Sequence, residues 1–270
     1  MTTDAAVSLP PVEPGTARLT GLLGLPILRV ALVGAASLAT WGILVAGGED
    51  SPFPPSTIFS SATMLPVNFI CLLLVRRALH ATGRRARDLI GFSWRRLGTD
   101  LLWGLLWLAV LSVPYGATIA GVMFAMHGDG MAERFETAFY DPDTAPALDQ
   151  WALAVLAILS VATFAPLNAP TEELVYRWYS QGGLTRRWGA APAILVPGAI
   201  FALQHVFYAP TPDLAIVFVA AFFVWGVGSG IIVHRQGRLM PIIVAHFLVN
   251  LSLSAPALVF VFLPATTTSP

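Results

Sequence analysis

Three short motifs in the second half of the chain combine side chains that can carry out acid–base chemistry. Each motif lies in or beside a stretch apolar enough to sit within a membrane, where a carboxylate, an imidazole or a primary amide is costly to keep. Their recurrence at helical spacing predicts one buried polar site assembled from several helices. The motifs are Glu172-Glu173-x-x-x-Arg177, Phe201-x-x-x-His205 and His246-x-x-x-Asn250.

The paired glutamates have a structural interpretation and a catalytic one. Thr171 follows Pro170 and is a favourable N-cap residue, so we expect a helix to begin here with both acids in its first turn. In such a helix Glu173 and Arg177 share a face and form an ion pair, whereas Glu172 points about 100° away. In the structural interpretation the two acids only stabilise the start of the helix through its dipole. In the catalytic interpretation Glu172 is free to act as a general base on water.

The two histidine motifs also leave alternatives open. Phe201 precedes His205 by one helical turn and can pack against its imidazole, and a single histidine in an apolar helix is more often structural. His246 and Asn250 project from one face of the last apolar segment, where two polar groups could simply join helices by hydrogen bonds. In the catalytic interpretation His205 assists Glu172 in deprotonating water, and the last pair donates hydrogen bonds to a developing oxyanion.

Other ways of activating a nucleophile are less favoured by the sequence. No serine beside a base stands out, and the one cysteine, Cys71, is far from the motifs, so a nucleophilic triad is disfavoured. Zinc is an alternative means of activating water, with Glu172, His205 and His246 as its ligands, because carboxylate and imidazole are common zinc ligands. The HExxH motif of common metalloproteases is absent, so no cofactor follows from the residues alone.

The composition places these motifs in a membrane protein. Hydrophobic residues make up 56% of the 270 residues and charged residues only 11%, against about 25% charged in soluble domains. We predict an all-α polytopic membrane helix bundle of about seven spans, each about 20 apolar residues long. It forms one domain over 25–263, with 1–24 a disordered cytoplasmic tail and 264–270 a short tail. The predicted spans are 25–46, 56–75, 101–126, 151–170, 190–208, 214–233 and 240–263.

The distribution of arginine predicts the orientation. All 15 basic residues are arginine, and seven of them lie in 76–100, whereas 47–55 and 209–213 have none. By the positive-inside rule the N-terminus and the Arg-rich loops face the cytoplasm, and the acidic loop 127–150 lies outside. The arginines are typical of a loop that meets anionic lipid, which is favoured over nucleic-acid binding. A chain without lysine is compatible with a GC-rich bacterium, so we expect the bacterial cell (inner) membrane as its location.

The ordered trio of motifs resembles the CPBP family of intramembrane proteases. That family includes the type II CAAX prenyl endopeptidases and the Abi or bacteriocin-processing proteins. The resemblance covers about residues 165–255, and the first four spans fit only in general character. It implies cleavage of prenylated or membrane-tethered peptide substrates, and the predicted orientation places Glu172 near the cytoplasmic face of the lipid bilayer.

The resemblance also implies a role for each motif residue. Both a metalloprotease mechanism and a metal-free, glutamate-dependent mechanism are proposed for the family, so Zn²⁺ stays an open question. By the match to the family motifs, Glu172 and His205 activate water, His246 and Asn250 form the oxyanion hole, and Glu173, Arg177 and Phe201 support them.

Two other functions compete with the endopeptidase. A non-catalytic membrane scaffold or bacteriocin-immunity-type protein would keep the same polar groups for packing or partner binding. A transporter would use them as a proton or ion relay, although no internal repeat is visible. Gly226, Gly228 and Gly230 are expected to let neighbouring helices approach closely.

Overall fold

The computed structural model describes residues 18–80, 85–138 and 148–262, and within these ranges it contains helices and no strands. Short 3₁₀ turns flank several helices, and the longest of them, Gln204–Tyr208, continues directly from α7. The helices are α1 Leu19–Ala46, α2 Thr57–His80, α3 Ala86–Ile90, α4 Leu97–His127, α5 Met131–Ala138, α6 Gln150–Trp188, α7 Ala190–Leu203, α8 Pro212–Gln236 and α9 Met240–Phe262.

Six of the helices are long and apolar enough to cross a membrane, namely α1, α2, α4, α6, α7 with its 3₁₀ turn, and α8. The last helix, α9, adds the apolar stretch Met240–Pro256. The predicted all-α polytopic bundle of about seven spans is therefore confirmed.

The outer surface of the bundle is made of large apolar side chains. Leu102 and Val113 on α4 are 70% and 72% exposed, and Phe69 on α2 is 61% exposed. A continuous surface of this kind is unfavourable in water and matches the hydrocarbon of a bilayer, while the helices satisfy their own backbone hydrogen bonds. The chain is an integral membrane protein.

The helix predicted to begin at Thr171 does not begin there. Helix α6 runs without interruption from Gln150 to Trp188, and Thr171 Oγ1 donates to the carbonyl of Leu167 inside the helix instead of capping it. Proline removes one helical hydrogen bond, and here π-helical turns lie before Pro166 and after Pro170, at Ser160–Phe164 and Glu173–Gln181. The paired glutamates consequently lie deep inside a long helix.

The N-terminal boundary also differs from the prediction. Residues 19–24, predicted as part of a disordered tail, form the first turns of α1. The rest of that tail, 1–17, and the predicted tail 264–270 lie outside the described residues.

The predicted close approach of helices at the α8 glycines is confirmed. A Cβ on Gly226 would lie 3.2 Å from the Cα of Gly198 on α7, and one on Gly228 would clash with the side chain of Leu111 on α4. A Cβ on Gly230 would lie 2.9 Å from Gln181 Oε1 on α6. These contacts hold α8 tightly between α4, α6 and α7.

Helix α6 passes through the centre of the bundle. Helix α1 packs against α2, α6 and α7, and α9 packs against α4 and α6. The polar face of α6 is therefore enclosed by helices from both ends of the sequence.

Candidate active site

A cavity of about 370 Å³ lies inside the bundle. Most of its walls are apolar or aromatic, with hydroxyl groups from α2, α6 and α9. Of the residues that the sequence predicted as catalytic, all four line this cavity: Glu172, His205, His246 and Asn250. The three predicted supporting residues, Glu173, Arg177 and Phe201, are buried beside it and do not line it.

Glu172 is held by partners from three other helical segments. Its Oε1 accepts hydrogen bonds from Arg29 Nη2 on α1, at 2.8 Å, and from Gln204 Nε2 after α7, also at 2.8 Å. Its Oε2 lies 3.3 Å from His246 Nε2 on α9. Glu172, which the sequence analysis left free beside the Glu173–Arg177 pair, is instead paired with a guanidinium from the first helix.

The imidazole of His246 lies between the two glutamates. Its Nδ1 is 2.9 Å from Glu173 Oε1, and its Nε2 faces Glu172 Oε2. Glu173 Oε2 in turn lies 3.5 Å from Arg177 Nε, so the ion pair predicted from their spacing is confirmed. Since a carboxylate only accepts hydrogen bonds, a His246 protonated on both nitrogens can donate to both acids.

His205 is held in one tautomer by its own helix. Its Nδ1 lies 2.9 Å from the carbonyl oxygen of Phe201, an acceptor, so Nδ1 carries the hydrogen and Nε2 has the free lone pair. The ring stacks on Phe222 with centroids 3.4 Å apart, and Phe201 meets it edge-on at 4.8 Å. The predicted packing of Phe201 against the imidazole is confirmed.

Phe201 also contacts the supporting ion pair. The guanidinium of Arg177 lies 4.9 Å from the centre of its ring, a cation–π distance. The same ring lies edge-on to Tyr176 at 5.3 Å. Phe201 therefore fills the space between His205 and the Glu173–Arg177 pair.

Asn250 lies one turn beyond His246 on the same face of α9. Its side chain is buried, and its Nδ2 has no hydrogen-bond partner among the described residues. A buried amide N–H without a partner is uncommon, because leaving it unpaired costs free energy. The group is a donor available to something that enters the cavity.

Several residues of this network were not predicted from the sequence. Arg29 Nη2 also donates to Asn168 Oδ1 at 2.7 Å, and Tyr176 donates its hydroxyl to Gln204 Oε1 at 3.1 Å. A signal for Arg29 existed, because it is the one charged residue inside α1, and an ionised side chain within a span usually has a partner. The amides and the phenol carried no comparable signal.

The residues predicted as zinc ligands do not fit a metal centre in this arrangement. Over residues 18–80, 85–138 and 148–262, no three His, Cys, Asp or Glu side chains are placed to hold an ion. One oxygen of Glu172 is already bound by a guanidinium and an amide. The charge of Arg29 beside that oxygen would repel a second cation.

The cavity extends from one end of the bundle toward its middle. Among its lining residues, Thr57 and Tyr208 lie at helix ends joined by the Arg-poor loops, whereas Ser160, Glu172 and Phe222 lie farther inside their helices. The predicted position of Glu172 near the cytoplasmic leaflet rests on a span that ends at residue 170, whereas α6 continues to Trp188, and the position stays a prediction.

A comparison with protein families indicates the class of protein to which this site is similar. Residues 151–252 match the family Type II CAAX prenyl endopeptidase Rce1-like. This segment is similar to that family. The predicted kinship with CPBP intramembrane proteases is confirmed, and the activity of this family is that of a CAAX-protease-like membrane endopeptidase. Comparison with curated proteins and with solved structures gave no match.

The Rce1-like segment covers α6 to α9 and includes every motif residue that the sequence singled out. It does not include α1, which supplies Arg29. The catalytic roles assigned to the motif residues stay predictions.

Proposed function

We propose that this protein is an intramembrane endopeptidase that hydrolyses peptide bonds of membrane-associated substrates with a water activated by Glu172 and His205. The observation that carries the proposal is the convergence of a carboxylate, two imidazoles and an amide on one cavity within the spans. These groups come from α6, α7 with its 3₁₀ turn, and α9. Helix packing alone would not require all four to face the same space.

The first step is attack of water on the scissile carbonyl carbon. Glu172 Oε2 and His205 Nε2 are the basic atoms left to act on water, because Glu172 Oε1 and His205 Nδ1 are already engaged in hydrogen bonds. One of them takes the proton as the water oxygen bonds to carbon, and the carbonyl oxygen becomes an oxyanion. His205 cannot turn easily, since it is stacked on Phe222.

The second step is collapse of the tetrahedral intermediate. Once Glu172 has taken the proton, His246 Nε2–H, which faces Glu172 Oε2 in the resting site, and Asn250 Nδ2–H donate to the oxyanion and stabilise its charge. The carbon–nitrogen bond then breaks, and the proton held by Glu172 or His205 passes to the leaving amine. Glu173, which bonds His246 Nδ1, keeps the imidazole oriented throughout.

The substrate follows from the cavity and from the membrane. Mostly apolar and aromatic walls favour an uncharged peptide segment or a lipid-modified one, such as a prenylated peptide, which reaches the site from the bilayer. We retain the predicted orientation, with the N-terminus in the cytoplasm of a bacterial cell. The Arg-poor position of the cavity then favours entry from the outer half of the membrane over the cytoplasmic entry predicted from sequence.

Cysteine labelling tests this sidedness. In a Cys71→Ser background, Thr57→Cys marks the exposed cavity end and Arg95→Cys marks the exposed Arg-rich end. We expect an impermeant maleimide to label the first in intact cells and the second only in inverted vesicles. The reverse pattern would restore entry from the cytoplasmic side.

Cleavage by the purified protein tests the function. We expect cleavage of a prenylated CAAX-type peptide or a bacteriocin-like precursor in detergent or liposomes, and a loss of about 100- to 10,000-fold in Glu172→Gln and in His205→Ala. Thermal unfolding checks that both variants fold. A strong chelator added to the same reaction is expected to leave the rate unchanged. Wild-type rates in either variant would refute the mechanism, and a folded wild type that cuts none of the substrates would favour the non-catalytic scaffold.

A further inference from the structure

Arg29 is a fully buried cation in the apolar helix α1. A charged guanidinium inside a membrane bundle is costly unless it is paired and hydrogen-bonded. Its Nη2 lies 2.8 Å from Glu172 Oε1 and 2.7 Å from Asn168 Oδ1. One nitrogen thus joins two residues that lie one turn apart on α6.

The two carboxylate oxygens of Glu172 have different partners. Oε1 receives Arg29 on one side and Gln204 on the other, whereas Oε2 faces His246. Two donors on one oxygen fix the plane of the carboxylate, so that the second oxygen points toward the site. Gln204 is itself held by Tyr176.

Arg29 is absent from the cavity wall, although Glu172 and Asn168 line it. The guanidinium therefore does not meet a substrate, and any effect on the reaction passes through Glu172. We infer that Arg29 is a positioning residue that aims Glu172 Oε2 at the reacting water, and that α1 is consequently part of the working endopeptidase although the family segment begins at residue 151. This role presupposes the hydrolysis proposed above.

Substitution of Arg29 separates a positioning role from a structural one. We expect Arg29→Met to lower kcat about 100-fold with little change in KM, because a carboxylate displaced by about 1 Å loses its geometry for attack. Arg29→Lys restores a cation near Oε1 without the planar fork, so it should regain about tenfold over Arg29→Met. A residue needed only for folding would reduce the amount of active protein and leave kcat per folded molecule unchanged.

The matched control is Arg238, whose Nη2 pairs with buried Asp100 at 2.7 Å between α4 and the turn after α8. Neither residue of this pair lines the cavity. Arg238→Met should keep the wild-type kcat per folded molecule, which active-site titration or size-exclusion recovery would quantify. If Arg29→Met fails to fold, Arg29→Lys alone decides, by its kcat per folded molecule.

The outcomes are distinct. If the wild type cleaves and Arg29→Met keeps an unchanged kcat, the role of Arg29 is overturned and the proposed hydrolysis stays intact. If Arg29→Met does not fold, an unchanged kcat in folded Arg29→Lys has the same meaning. A rise in KM alone would also overturn it. A wild type that does not cleave, or a Glu172→Gln variant that cleaves normally, would overturn the proposed function and the role of Arg29 with it.

Discussion

The two adjacent glutamates occupy different surroundings. Glu172 lines the cavity, and both partners of its Oε1, Arg29 and Gln204, come from distant parts of the chain. Glu173 lies outside the cavity wall, and its cation is Arg177, four residues on in the same helix. We call Glu172 with Arg29 and Gln204 the cavity half, and Glu173 with Arg177 the supporting half.

His246 connects the halves through its two ring nitrogens, Nε2 toward Glu172 and Nδ1 toward Glu173. Neighbouring residues of a helix point about 100° apart, so two identical side chains can serve two purposes. The supporting half fixes the imidazole, and the cavity half presents a carboxylate to whatever enters. If this division is right, equal changes in the two halves will have unequal effects.

The largest difference is expected from removing the charge of each glutamate in turn. Glu172→Gln should lower kcat by up to about 10,000-fold, because it removes the general base. Glu173→Gln should lower it only about 10- to 100-fold, because it loosens the orientation of His246 without removing a reacting group. Steady-state cleavage of one peptide by both variants measures the ratio. Equal losses would erase the distinction between the halves.

The next effect concerns stability and falls on the supporting half. Arg177→Met leaves Glu173 buried without its cation, and breaking a buried ion pair from one side costs about 3–5 kcal/mol of unfolding free energy. The double variant Arg177→Met/Glu173→Gln should recover part of this cost, since no unpaired charge remains. Unfolding in mixed micelles provides the measurement.

A surface pair provides the control for that stability change. Arg87 and Asp88 form an exposed pair with 3.6 Å between Nε and Oδ1, and Arg87→Met should cost less than about 1 kcal/mol. A cost for Arg177→Met as small as the control would show that the supporting pair contributes little.

The local contacts of the site could be predicted from sequence. The spacing of Glu173 and Arg177, and of Phe201 and His205, places each pair one turn apart, and both contacts are present. The convergence of the three motifs on one site could also be predicted from sequence, since polar side chains within a bilayer tend to contact one another. The family resemblance added their expected roles.

The cavity half could not be predicted in the same way. Arg29 lies 143 residues from Glu172, and no local spacing connects them. Thr171 after Pro170 predicts the start of a helix, yet inside this bundle π-helical turns keep α6 continuous through both residues. Long-range partners and proline-containing helices both depend on tertiary packing, which a single sequence does not show.

Asn250 lines the cavity and tests whether a reacting oxygen forms there. Its Nδ2 has no partner in the described part of the chain, so Asn250→Leu should not weaken the fold, while loss of an oxyanion donor should lower kcat about 100-fold. Cleavage kinetics and an unfolding curve of the same preparation measure both effects. A large loss of stability with unchanged kcat would instead support the alternative in which Asn250 only joins helices.

The smallest effect is expected where the supporting half is disturbed through packing alone. A Cβ on Gly226 would lie 3.2 Å from the Cα of Gly198 and 3.2 Å from Cδ1 of Phe201, so Gly226→Ala must push α8 away from α7 by a few tenths of an ångström. Overpacking of this kind costs about 1–3 kcal/mol. Because Phe201 separates His205 from the supporting ion pair, a small fall in kcat should accompany the loss of stability.

Gly121→Ala is the matched control, since nothing lies within 4 Å of its added Cβ, and it should be neutral or slightly stabilising in the same unfolding measurement. If the two alanine variants behave alike, the helix contact at Gly226 does not hold the supporting half in place.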